Sequence, residues 1–348
     1  MITPQLRRNC GINRAYFRRF TTIYGSCEAE RSGAQFLNTS PTRVGSMTAI
    51  DYQSLIDGPT WAFIARTNAC YPEDTATRSV VEQRHIYDAM ARSFHRGYPK
   101  GVTAHDEQIG SVPCRIYHGA QPTVIYLHGG GFVVGGLHSH DDVCAEICAG
   151  TGFKVVSVDY RLAPEHLHPA AYDDALAVAR AIAKNGRYLL VGDSAGGTLA
   201  ASVAQSSRND APASGLVLIY AGLGADPDHG SYSTHAHAPM LSRADILSYR
   251  QIRHEGGSPP INDPTAAPLQ ATNFTCLPPT IAFSAECDPH ADAGRDYCAW
   301  ITAAGGKATW HLETGLVHGY LRARHSVPRA AASFDKIINA ITTLGATS

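Results

Sequence analysis

The sequence predicts an α/β fold: a mostly parallel central sheet with helices on both faces. Three observations predict it. Short apolar runs alternate with helical patterns from residue 112 onward. Those runs are continuously apolar rather than alternating, which suits strands buried on both faces. Two glycine-rich turns follow directly on two of the runs, and such turns collect at the carboxyl ends of parallel strands, where α/β sheets bind ligands.

The chain has 348 residues, long for one average domain but ordinary for a single α/β core carrying insertions. Lys and Arg number 29 against 30 for Asp and Glu, so the basic surplus of a nucleic-acid binder is absent. No run approaches the length of a membrane-spanning helix. Nine cysteines are an odd number and show no C-x-x-C spacing. Free thiols in a reducing compartment are the simpler reading, and the expectation is a soluble, cytoplasmic protein.

Residues 1–46 differ from the rest. Arginines from Arg7 to Arg43 outnumber Glu28 and Glu30, and no apolar period is sustained. A secretory signal needs an uninterrupted apolar stretch, which is missing; an Arg-rich mitochondrial leader is the targeting alternative. The preferred reading is a disordered extension upstream of a start at Met47. From Asp51 to about Thr103 the pattern turns helical, within a segment 47–110 assigned to N-terminal helices. Ser79 to Met90 places apolar residues at three- and four-residue spacings, and Trp61, Phe63 and Tyr71 are candidates for a substrate entrance. The core is expected over 111–348. Its strand-like runs are 112–117, 123–127, 154–158, 188–191, 216–220, 280–284 and 308–311, and its helices include 170–183 and 195–206. Between about 222 and 270 the alternation stops; the one helical pattern there, 242–254, has Ser242 as N-cap.

The most informative stretch is Gly192-Asp193-Ser194-Ala195-Gly196-Gly197, which lies between the apolar run Tyr188–Val191 and a small-residue helical run. Strand, G-x-S-x-G, helix is the nucleophile-elbow pattern. Ser194 must occupy a strained turn so that its hydroxyl stands clear of the sheet, and glycines on either side allow strand and helix to close around it. Upstream, Val124–Leu127 runs into His128-Gly129-Gly130-Gly131-Phe132. Consecutive glycines leave main-chain N–H groups unshielded, and an N–H from Ala195 would complete a donor set for a developing negative oxygen.

With these motifs the chain resembles the hormone-sensitive-lipase-like (bacterial family IV) carboxylesterases of the α/β-hydrolase fold. The resemblance extends through Asp159-Tyr160-Arg161-Leu162-Ala163-Pro164-Glu165-His166, Asp288-Pro289 and Val317-His318-Gly319-Tyr320, and covers roughly residues 50–345. It implies a helical cap built from 47–110 and the 222–270 insertion, and oxyanion donors at Gly130, Gly131 and Ala195. Short- to medium-chain acyl esters as substrates and a homodimer follow from it as well.

In this fold the triad runs nucleophile, acid, histidine along the chain. Asp288 closes the 280–284 strand and is favoured as the acid, with Glu286 and Asp292 as rivals. The family's usual Asp-Pro-Leu-x-Asp-Glu is altered here by His290, Ala291 and Ala293. His318 is the expected base; His311 and His325 flank it, but only His318 carries the Gly-aromatic sequel. His128 reads as a loop-shaping partner, and Arg161 with Glu165 as a structural pair under the site. The pairs His138/His140, His166/His168 and His235/His237 each supply at most two ligands, so neither a metal nor another cofactor is expected. The function predicted is serine carboxylester hydrolysis through Ser194, Asp288 and His318. An amidase or deacetylase with the same triad is the enzymatic alternative, and a non-catalytic small-molecule receptor of the same fold is the other. The presence of His318 separates the enzyme from the receptor.

Overall fold

The computed structural model describes residues 50–254 and 260–346. The expected extension 1–46 lies outside them. Helices α1 (Tyr52–Leu55), α2 (Gly58–Ala69) and α3 (Val80–Phe94) come first, and Ser79 and Glu82 close a capping box at the start of α3. The sheet then forms from β1 (Ala104–Ile109), β2 (Val112–Tyr117), β3 (Ala120–Leu127), β4 (Phe153–Val158), β5 (Tyr188–Asp193), β6 (Gly215–Ile219), β7 (Thr280–Cys287) and β8 (Ala308–Val317). Between and after these strands run α4 (Asp141–Thr151), α5 (Ala170–Ala183), α6 (Ala195–Ser207), α7 (Ser231–Thr234), α8 (Arg243–Arg253), α9 (Ala291–Ala303) and α10 (Pro328–Ala346).

The eight strands are ordered β1-β2-β4-β3-β5-β6-β7-β8. Pairing is parallel from β4 through β8, and antiparallel where β2 meets β1 and β4. The fold is therefore the α/β-hydrolase fold that the sequence predicts. β1 is the strand that sequence reading missed. Its Ala-His-Asp-Glu-Gln-Ile is polar and largely exposed, because an edge strand needs charge more than apolar burial. It pulls the start of the sheet back to Ala104, inside the segment expected to be helical.

Successive residues of the central strands face opposite cores, which is why their apolar runs do not alternate. Ile125, Leu127, Leu190 and Leu218 pack with Val178, Leu199, Val203 and Tyr297 of α5, α6 and α9. Val124, Tyr126, Val191 and Ile219 pack with Ile147 and Ile341 of α4 and α10, and with Phe63 and Met90 of α2 and α3. The central strands sit between these two cores, so the turns at their carboxyl ends are held from both sides. The seven cysteines among the described residues are all free, and no helix there is long and apolar enough to cross a membrane.

Candidate active site

β5 ends at Asp193 and α6 begins at Ala195, leaving Ser194 alone in the turn with φ of +53°. That backbone is strained for a residue with a side chain, and it lifts the hydroxyl off the sheet. A Cβ on Gly196 would run into the Leu127 carbonyl, and one on Gly192 into that of Gly196. The G-x-S-x-G spacing is thus the steric condition for packing α6 against β3 and β5. The Ser194 N–H donates to the Ile219 carbonyl of the neighbouring β6 at 2.9 Å, which anchors the turn.

His318 follows β8, and Asp288 follows β7. The structure brings both to Ser194: His318 Nε2 lies 2.9 Å from Ser194 Oγ, and His318 Nδ1 lies 2.7 Å from Asp288 Oδ2. A carboxylate accepts only, so Nδ1 carries the proton and Nε2 is left to accept from the serine. Asp288 is fully buried. Burial pushes its carboxyl up, but the His318 ring and the His290 N–H, which donates to Oδ1 at 2.8 Å, outweigh burial and hold it below the usual range. The rival acids lie elsewhere. Glu286 accepts from the Gly315 N–H, and Asp292, on α9, pairs with Arg295. His311 stacks on Phe283, and His325 contacts Glu146.

The loop after β3 carries the second motif. Among the described residues, the N–H groups of Gly130, Gly131 and Ala195 have no hydrogen-bond partner, and all three residues line the same cavity as Ser194 and His318. His128 is buried, and burial lowers its ring to about 4, so it stays neutral. It stacks on Tyr160, whose hydroxyl donates to the His128 carbonyl at 2.6 Å. Asp193 ties this loop to the elbow, accepting from the Gly129 N–H at 2.9 Å and from the Tyr126 hydroxyl at 2.8 Å. Burial opposes its charge, yet His140 at 3.4 Å and Tyr126 hold it well below the ordinary carboxylate range.

The cavity over these groups measures about 900 Å³. Tyr71 and Tyr87 from the N-terminal segment and Leu241, Ile246 and Tyr249 from the 222–270 insertion form part of its wall. Of the aromatics expected at an entrance, Tyr71 lines the cavity, whereas Phe63 is core and Trp61 packs against that core. The predicted Arg161–Glu165 pair does not form. Arg161 takes Asp174 of α5, and Glu165 takes Arg84 of α3, because the turn between them carries the two side chains apart onto different helices. Sequence reading also missed three arginines on the wall, Arg250, Arg253 and Arg322, and the His290–Tyr232 contact of 2.9 Å beside the acid. One signal for His290 was present: it interrupts the family's Asp-Pro-Leu pattern. No His-x-His pair gathers a metal-ligand set among the described residues. The one such group, Asp142, Glu146 and His325, is already occupied by Arg324, which pairs with both carboxylates.

A protein-family model described as alpha/beta hydrolase fold matches residues 124–322, more than half of the chain. The esterase LipI of Mycobacterium tuberculosis is 37% identical over 250 residues, which span 66% of this chain and 78% of that protein. The chain belongs to the hormone-sensitive-lipase-like carboxylesterases. A carboxylesterase of the same organism, NlhH, is 35% identical over 249 residues, 66% of this chain and 77% of that relative. In three dimensions the esterase matches the ester-hydrolase EH1AB1 from the metagenome of Lake Arreo, with a TM-score of 0.76 and 29% identity over 84% of this chain and 100% of that one. That structure is a complex with a derivative of bipyridine phosphonate.

Proposed function

We propose that this carboxylesterase hydrolyses short- to medium-chain acyl esters through a Ser194–His318–Asp288 triad and an acyl-enzyme. Ser194 Oγ attacks the acyl carbonyl while His318 Nε2 takes its proton. The carbonyl oxygen becomes an oxyanion facing the N–H groups of Gly130, Gly131 and Ala195, each worth on the order of 3 kcal/mol. Collapse expels the alkoxide, which takes the proton from His318. Water then enters, gives its proton to His318, and attacks the acyl-serine; the proton returns to Ser194 as the acid leaves. Asp288 holds the Nδ1–H tautomer throughout and faces the imidazolium when it forms. The observation that carries the reading is the pair of contacts of 2.9 Å and 2.7 Å on the two nitrogens of one imidazole.

The same reading takes the helical part of 47–110 that precedes β1, together with 222–270, as a cap, supported by the tyrosines and apolar residues both segments put on the cavity wall. The cytoplasmic assignment rests on the unpaired thiols. The homodimer reading draws on β8, which is the last strand of the sheet and pairs on one side only among the described residues.

The test is turnover of a p-nitrophenyl ester series from acetate to palmitate by wild type and Ser194→Ala. The expected result is fastest hydrolysis of the short esters, with kcat reduced by roughly 10⁴-fold or more in the variant. Full activity in Ser194→Ala, or a wild type inert on every ester, would overturn the assignment.

A further inference from the structure

The cavity wall carries an arginine that the hydrolytic cycle does not use. Arg322 lies on the 3₁₀ turn Tyr320–Ala323, four residues after His318, and its Nη1 would lie 3.6 Å from a Cβ placed on Gly319. Its Nη2 donates to the Tyr87 hydroxyl, and its Nε is buried without a partner. Arg250 and Arg253 line the same cavity. Those two are engaged by neighbouring groups: Arg250 by Ala225 and Tyr232, Arg253 by Ala266, His168 and the face of Phe132. Among the described residues none of the three arginines lies within ion-pair distance of a carboxylate, although the other arginine pairs are plain. The carboxylates on the wall are Asp193, committed to Gly129 and Tyr126, and Asp226, committed to His229 at the exposed rim.

A guanidinium cannot shed its charge, and one half-removed from water with unused donors is at a loss until an anion meets it. We propose that Arg322 is an anion subsite beside the nucleophile, and that the esters this enzyme prefers carry a carboxylate. This rests on the esterase reading above. A carboxylate fits better than a phosphate because one planar guanidinium fork matches a planar monoanion. A dianion would also meet the buried charge of Asp193. The carboxylate has two chemical sources: the acyl part of a dicarboxylic acid half-ester, or the alcohol part of an acylated hydroxy acid.

The experiment separates the sources with matched pairs assayed by pH-stat. Monoethyl glutarate against ethyl pentanoate reads the acyl side; 4-acetoxybutanoate against pentyl acetate reads the alcohol side. In wild type, one charged ester should exceed its neutral partner in kcat/KM by about tenfold or more, and Arg322→Gln should lower that ratio by roughly 10- to 100-fold. Tyr87→Phe removes the hydrogen bond and keeps the guanidinium, so the ratio should stay within about threefold of wild type. A ratio that Arg322→Gln leaves unchanged in both pairs overturns the proposal. So does a ratio that Tyr87→Phe abolishes equally, since wall shape rather than charge would then be responsible. Binding is read independently of turnover in Ser194→Ala, by ligand-detected NMR with the amide 4-acetamidobutanoate against N-pentylacetamide, and with glutarate monoethylamide against N-ethylpentanamide. A tenfold or greater loss of the favoured carboxylate's affinity on adding Arg322→Gln supports the subsite even if the esterase reading fails. No loss for either carboxylate sinks the subsite even if that reading stands.

Discussion

The carboxylate of Asp193 accepts the backbone N–H of Gly129 at 2.9 Å, and so joins the elbow that carries Ser194 to the loop that carries Gly130 and Gly131. Both turns hang from the ends of neighbouring parallel strands, β5 and β3. Without the bond their relative position would rest on glycine-rich backbone alone, which is intrinsically soft. The Tyr126 hydroxyl on Oδ1 and His140 near Oδ2 hold the carboxylate in place from below.

Asp193→Ala should therefore damage turnover more than ground-state binding. Four buried groups, on Gly129, Tyr126, Tyr220 and His140, lose their partner, and the candidate oxyanion donors lose their register with Ser194. Expected is a fall in kcat of about 10- to 100-fold on p-nitrophenyl acetate with KM changed less than about threefold. A variant that altered KM alone would show that the bond shapes the pocket rather than the oxyanion donors.

Gly196→Ala should fail for a steric reason. The new methyl meets the main-chain carbonyl of Leu127, which belongs to a central strand and has nowhere to go. The expected outcome is a Tm lowered by about 10 °C or more, or no folded protein. Gly58→Ala is the control, since a Cβ there has nothing within 4 Å. A Gly196→Ala protein as stable as the control would contradict the close approach of α6 to β3.

Asp245 gives a pH-dependent prediction. It sits in the first turn of α8, closes the capping box with Ser242, and leaves Oδ1 buried without a partner. Burial pushes its carboxyl up to about 7, against the pull of the Ser242 hydroxyl and N–H. The folded state thus holds the proton longer than the unfolded chain, whose aspartate titrates near 3.9. The resulting penalty is absent below about pH 4, grows as the pH rises toward 7, and is constant above that. Asp245→Asn removes the titration. It should be more stable than wild type at pH 8 by on the order of 1–3 kcal/mol, with the difference vanishing near pH 4. Urea melts at the two pH values check this, and a difference that widened toward acid would reverse the sign.

Much of the site was legible because its constraints are local. An elbow needs glycines at fixed offsets from its serine, and an oxyanion loop needs glycines directly after a strand, so Ser194, Gly130 and Gly131 announce themselves within a few residues. The apolar runs were legible for a related reason, since a strand covered on both faces has no polar side to interrupt it. β1 was not, because its exposed edge position makes the opposite demand on composition.

Which acid among Glu286, Asp288 and Asp292 meets His318, and whether Arg161 meets Glu165, depended on how β7, α3 and α5 lie in space. The three acids are close neighbours in sequence and differ only in where the end of β7 and the start of α9 aim them. Arg322 is the clearest case. In the sequence it is one arginine near a histidine; in the fold it stands on a cavity wall with no carboxylate within ion-pair distance among the described residues. Sequence by itself determined the fold and named the residues that the fold gathers at the candidate site, because those rest on short-range steric and hydrophobic patterns. Tertiary structure alone decided which charges meet and which are left for a ligand, because Coulomb and hydrogen-bond energies depend on distances that only packing sets.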